Sequence, residues 1–272
     1  MKIHVYCDKL APCGHVLSRA RSHRILAGAN LTIHTETSPQ IYARIAGVLL
    51  LVSIVAASFG ELYVPDKLIV AGDVAATANN FRANESLFRL GFASYLIEAV
   101  CDVALALTFY ILLRPVRKDL ALLTAFLGLM STAMFAVAML IYFRASLILL
   151  GKADYLKTFS PDQLNSLALL FLTWYATGTG IFMVFYGVAS ILRGYLIYRS
   201  GYLPRFLGLL LALAGVSFVI RDFVEVLAPA YAFDILYLPM IIAMLSMAVW
   251  FIAKGVDVAK WGEKTRVTVA HS

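Results

Sequence analysis

The chain has 272 residues, 61% hydrophobic and 14% charged, with a formal net charge of +7. Soluble domains average about 45–50% apolar and about 25% charged residues, so this composition excludes an ordinary soluble domain and points to lipid. In a soluble protein the positive charge would suggest nucleic acid. Here the basic residues gather in alternate loops, as membrane topology requires, and no nucleic-acid partner is expected.

Residues 1–40 form a polar N-terminal tail without periodicity. Arg19, Arg21 and Arg24 precede no long apolar run before Ile45, so the tail is not a signal peptide. Leu31-Thr32-Ile33-His34 reads as a translation start, which makes residues 1–30 an expected over-called beginning. Cys7 and Cys13, with His4 and His15, fit no compact zinc spacing.

A helix that crosses a bilayer takes about 20 apolar residues. The first such run covers 45–64 and is stopped by Pro65 and Asp66. Asp73 can then cap a short helix with Val74, Ala78 and Phe81 on one side, expected flat on the membrane surface. Further spans are expected at 87–113 and 120–150. Ser160-Pro161-Asp162-Gln163 has the residues of a capping box with proline in the first turn, so it starts a fourth helix that runs to about Tyr198. That helix exceeds the hydrocarbon thickness, so it either protrudes or breaks, and Thr177-Gly178-Thr179-Gly180 is its natural weak point. Spans at 206–227 and 236–253 complete the set, followed by a short polar tail at 256–272. The expected fold is an all-α integral membrane bundle of about six transmembrane helices, with the membrane domain at 41–255.

With the N-terminus placed inside, the inside segments carry 16 of the 23 basic residues, Arg193, Arg199 and Arg205 among them. Without the doubtful tail the balance is 11 to seven. Both termini are therefore expected in the cytoplasm, and the protein in a bacterial cytoplasmic (inner) membrane.

Charged side chains in lipid need a reason, because each costs about 2.5–3.5 kcal/mol near a helix centre. Glu98 and Asp102 lie four residues apart on one helix face, near mid-membrane, with Tyr95 and Gly91 beside them. Two carboxylates this close in a low dielectric resist carrying two charges. They read either as a proton or cation relay with Tyr95, or as neutral or partnered structural groups. Glu61, Arg89, Arg144, Arg221, Asp222 and Glu225 fall in the outer third of their helices. They read either as interfacial ion pairs or as an outer polar pocket whose arginines take a small anionic solute. All five histidines sit in the tails. That argues against haem, an intramembrane zinc hydrolase and Ser-His catalysis. No phosphate-cradling glycine loop is present. No catalytic residue, metal or cofactor is expected.

Several stretches resemble a known family. They are Ala43-Arg44-Ile45-Ala46-Gly47, Ser86-Leu87-Phe88-Arg89-Leu90-Gly91, Leu112-Leu113-Arg114-Pro115-Val116, and above all Gly194-Tyr195-Leu196-Ile197-Tyr198-Arg199-Ser200-Gly201-Tyr202-Leu203-Pro204-Arg205. In order and spacing they resemble the bacterial membrane-protein family catalogued as domain of unknown function 4386, over about residues 39–255. The resemblance implies a multi-helix membrane protein and supplies no catalytic residues. Relatives often place a polar or histidine-containing stretch in the fourth helix, where this chain has Thr173-Trp174-Tyr175-Ala176-Thr177. Two functions stay open: binding or transport of a small solute at a polar site between helices, and a non-transporting scaffold that binds a partner or senses envelope stress.

Overall fold

A bilayer offers no water to backbone N–H and C=O groups, so long apolar segments close their hydrogen bonds within helices. The computed structural model describes residues 38–151, 154–231 and 233–270, and it contains no strand among them. The expected start near position 31 and the cysteine–histidine tail lie outside the described residues.

The first span, Pro39–Leu68, is composite. Helix α1 (Pro39–Ala57) passes through a π-helical turn (Ser58–Tyr63) into the short α2 (Val64–Leu68). Asp73 caps α3 (Val74–Ala83), accepting from the Ala76 N–H at 2.8 Å. The apolar side of α3 turns into the protein rather than toward lipid: Phe81 is buried against Phe88 and Tyr142. The other spans are α4 (Glu85–Leu113), α5 (Lys118–Leu150), α6 (Pro161–Ser200) and α7 (Arg205–Leu227). A 3₁₀ turn (Asp234–Tyr237) leads into α8 (Leu238–Ala253). Among the described residues, six helical segments are long and apolar enough to cross a membrane.

The capping box at the start of α6 forms in both directions. Gln163 N–H donates to Ser160 Oγ, and Ser160 N–H donates to Gln163 Oε1 at 2.9 Å. The 40 residues of α6 run without a break, a length of about 60 Å. The expected weak point stays helical because its threonines bond to their own helix: Thr177 Oγ1 donates to Thr173 O and Thr179 Oγ1 to Ala176 O. The excess length therefore protrudes. The tail read as merely polar contains a further helix, α9 (Val258–Ala270).

Each long helix packs on its neighbours in the chain, and α8 returns to α1, so the six segments close a ring. Helices α6 and α7 approach most closely where Gly194 faces Gly208 and Gly187 faces Gly215. A Cβ on Gly194 would stand 2.5 Å from the Gly208 carbonyl. Such small-residue seams let backbones touch in a bilayer.

The turns at one end are basic and tied together. The Gln40 amide donates to Lys254 O at 2.9 Å and accepts from Val256 N–H. Tyr202 OH and the Trp261 indole both donate to Leu112 O. Trp261 is buried and anchors α9 there. Apolar side chains such as Val100, Leu107, Phe126 and Val249 remain exposed around the ring, a surface that lipid covers and water would not leave bare.

Candidate functional site

Two apolar clusters fill the ring. One lies toward the basic turns around Leu50, Phe109, Leu196 and Phe251. The other lies in the opposite half around Phe81, Phe88, Phe135 and Tyr142. Between them a cavity of about 400 Å³ opens among the walls of α1, α4, α6, α7 and α8. That is within the range of small-molecule sites.

The first wall is made by the π-helical turn. Val64 N–H reaches back five residues to Phe59 O. The next N–H in that register would belong to Pro65, which has none. The Gly60 carbonyl is thereby released, and Tyr95 OH donates to it at 2.6 Å. This widened turn places Glu61, half-buried, on the cavity wall. On α4, Glu98 and Asp102 line the same cavity. Ser53 Oγ on α1 donates to Asp102 Oδ1 at 3.4 Å. Glu98 is 7% exposed, and its Oε2 has no hydrogen-bond partner among the described residues. A buried carboxylate oxygen without a partner is costly.

Tyr175 and Tyr186 on α6 and Tyr237 before α8 bring aromatic hydroxyls to the lining. Tyr186 OH rests 3.8 Å from Met244 Sδ. Met183, Met240 and Met244 supply soft apolar surface. Tyr95 is buried behind the wall, its ring 6.2 Å from that of Tyr142, which in turn lies 5.0 Å from Tyr175.

Arg193 sits behind the lining on the side of the basic turns. Counted by sequence with the basic residues of an inside segment, it is 6% exposed and lies two helical turns inside the end of α6. Its guanidinium packs over Phe109 at 5.1 Å and Tyr186 at 6.0 Å. Gly128 makes room for it, since a Cβ there would stand 2.5 Å from its Nη2. Its charge reaches Asp102 through space, with no direct ion pair between them among the described residues. The only sequence signal for this placement was its distance from the helix end.

The six residues expected at the outer face are dispersed. Glu61 joins Glu98 and Asp102 in the cavity. Arg89 pairs with Glu85 at 2.8 Å on the exterior, and Arg144 is exposed. Arg221 pairs with Asp222 at 3.1 Å and Glu225 at 2.5 Å, and stacks over Tyr237 at 4.7 Å. Among the described residues, no three His, Cys, Asp or Glu side chains are grouped to hold a metal ion.

The fold and this cavity define a class: a six-span, all-helical membrane protein with an acid-lined chamber inside its ring. The chain belongs to the family described as Domain of unknown function (DUF4386), which it matches over residues 45–255. It is also similar to a protein of Archaeoglobus fulgidus described as an uncharacterized protein. The two are 26% identical over 121 residues, 44% of this chain and 58% of that one. The chain thus spans less than two thirds of that relative's length. No solved structure matches.

Proposed function

We propose that this protein binds a small solute in the cavity and carries it across a bacterial inner membrane, with its basic turns and both chain ends on the cytoplasmic side. The observation that carries the reading is the meeting of three acidic side chains, Glu61, Glu98 and Asp102, on the wall of one cavity. Lipid-depth charges that persist at such a cost mark solute or ion paths. Most lining residues lie at mid-helix or away from the basic turns, which supports entry from the outer side. Arg193, Phe109 and Tyr186 close its inner end.

The test is binding to purified protein with the cavity filled. Thr179 lines the cavity, and its hydroxyl bonds only within its own helix, so Thr179→Trp occupies the space with little other disturbance. Solutes that raise the thermal stability of the native protein saturably are expected to leave this variant unmoved. Equal stabilisation of both proteins would place the solute elsewhere and end the reading.

A further inference from the structure

We infer that the solute is an organic cation with an apolar body, a protonated or quaternary amine whose charge sits on Glu98. This rests on the solute-binding reading above and specifies it.

Charge comes first. Among the described residues, the lining holds three carboxylates, Glu61, Glu98 and Asp102, and no lysine, arginine or histidine. An anion entering it would meet one sign of charge in a low dielectric, with no donor cation on the wall. Of the arginines expected to receive an anion, Arg89 pairs with Glu85, Arg221 pairs with Asp222 and Glu225, and Arg144 is exposed and is not part of the lining. Arg193 lies behind the lining, its guanidinium covered by Tyr186 and Phe109. Among the described residues, Glu98 makes no ion pair and its Oε2 has no hydrogen-bond partner. Acids this close in a low dielectric resist ionising together, and a cation arriving beside Glu98 is what would hold its carboxylate charged.

The kind of cation comes next. A bare metal ion needs several oxygen ligands converging within about 2.0–2.6 Å, and the described acids make no such group. An ammonium head needs less: one carboxylate and the faces of aromatic rings. Tyr175, Tyr186, Phe182 and Phe218 supply rings on the same walls, the arrangement by which proteins hold quaternary ammonium groups. The rest of the lining is apolar, and three of its members are methionines, whose flexible thioethers adapt to differently shaped ligands. A hydrated inorganic ion would gain nothing from that surface. An alkyl or aryl body would.

The experiment compares three probes that share a benzyl body: benzyltrimethylammonium, benzyl alcohol and phenylacetate. Binding to the purified full chain is read by calorimetry or thermal shift. Wild type is expected to bind the ammonium saturably and at least ten times more tightly than either other probe. Glu98→Gln keeps the side-chain shape and is expected to weaken ammonium binding tenfold or more. Glu61→Gln, at a half-buried position, gives a smaller loss and serves if Glu98→Gln does not fold. Benzyl alcohol binding as tightly as the ammonium, unaffected by either variant but abolished by Thr179→Trp, would overturn the cation assignment and leave the cavity reading standing. Preferred binding of phenylacetate would overturn it as well. Ammonium binding that survives Thr179→Trp would remove both.

Discussion

Substituting Gly194 by alanine puts one methyl group into the seam between α6 and α7. That methyl would lie 2.5 Å from the Gly208 carbonyl oxygen and 2.7 Å from the Ala212 nitrogen, where ordinary contact begins at 3.4 Å. Both obstacles are backbone, so the helices must part by about 0.9 Å locally. Overpacking of this kind costs about 1–3 kcal/mol, which is about 2–12 °C in melting temperature for a chain of this size. Gly180 is the control on the same helix, because a Cβ there meets nothing within 4 Å. Alanine is the better helix former by about 0.8–1 kcal/mol, so Gly180→Ala is expected to hold or raise the melting temperature. The assay is thermal unfolding in one detergent, followed by intrinsic fluorescence. Equal shifts in the two variants, or stabilisation by Gly194→Ala, would refute the close seam. Tyr186 on α6 and Phe218 on α7 line the cavity on either side of this seam, so Gly194→Ala is also expected to weaken solute binding.

Tyr95→Phe removes the donor to the Gly60 carbonyl and leaves that buried oxygen unmatched. A loss of about 1–3 kcal/mol is expected, read as a lower melting temperature; no change would mean the π-helical turn does not depend on Tyr95. Arg193→Met and Asp102→Asn are each expected to destabilise, with a coupling of about 0.5–3 kcal/mol in the double-mutant cycle; additive losses would show that the two charges do not compensate one another. The Asp257 carboxylate, outside the membrane, accepts from the Lys260 N–H at 3.2 Å and is held below the usual carboxylate range by that bond and by the Lys260 side chain. Its folded value is depressed, so its stabilisation is present above the unfolded value near 3.9 and is lost as pH falls through the folded value. The first turn of α9 should therefore exchange its amides more slowly in wild type than in Asp257→Asn at pH 6, and the difference should vanish once pH has fallen through the folded value. A gap that persists there would remove the carboxylate from the cap.

Much of the architecture could be read from the chain because it depends on local features. An apolar run long enough to span, the cap at Asp73 and the box at Ser160 and Gln163 each act within a few residues, and each formed as the pattern implied. The site was harder, because its parts meet through packing. Helical spacing put Glu98 and Asp102 on one face of α4, which is where they lie. Nothing in that spacing could bring Glu61 to them. Its direction depends on an inserted residue in the π-helical turn and on Pro65 leaving a carbonyl for Tyr95. Arg193 counts with the inside segment by its place in the chain, but Gly128 on another helix decides that it fits inside the bundle. Helix α9 escaped notice because 13 residues with few apolar members make no span-like run. What fixes it is Trp261, bonded to Leu112 far away in the chain.

The most direct test labels a cysteine at the bottom of the cavity. Ser53 is buried, lines the cavity and touches Asp102. In a background with Cys7, Cys13 and Cys101 replaced, Ser53→Cys in oriented vesicles is treated with membrane-impermeant methanethiosulfonates of matched size, one trimethylammonium and one sulfonate. The account predicts labelling from the face opposite the basic turns, at least tenfold faster with the cationic reagent and slowed by benzyltrimethylammonium. No labelling from that face, or equal rates for the two reagents, would contradict a solute-accessible acidic chamber within the bilayer.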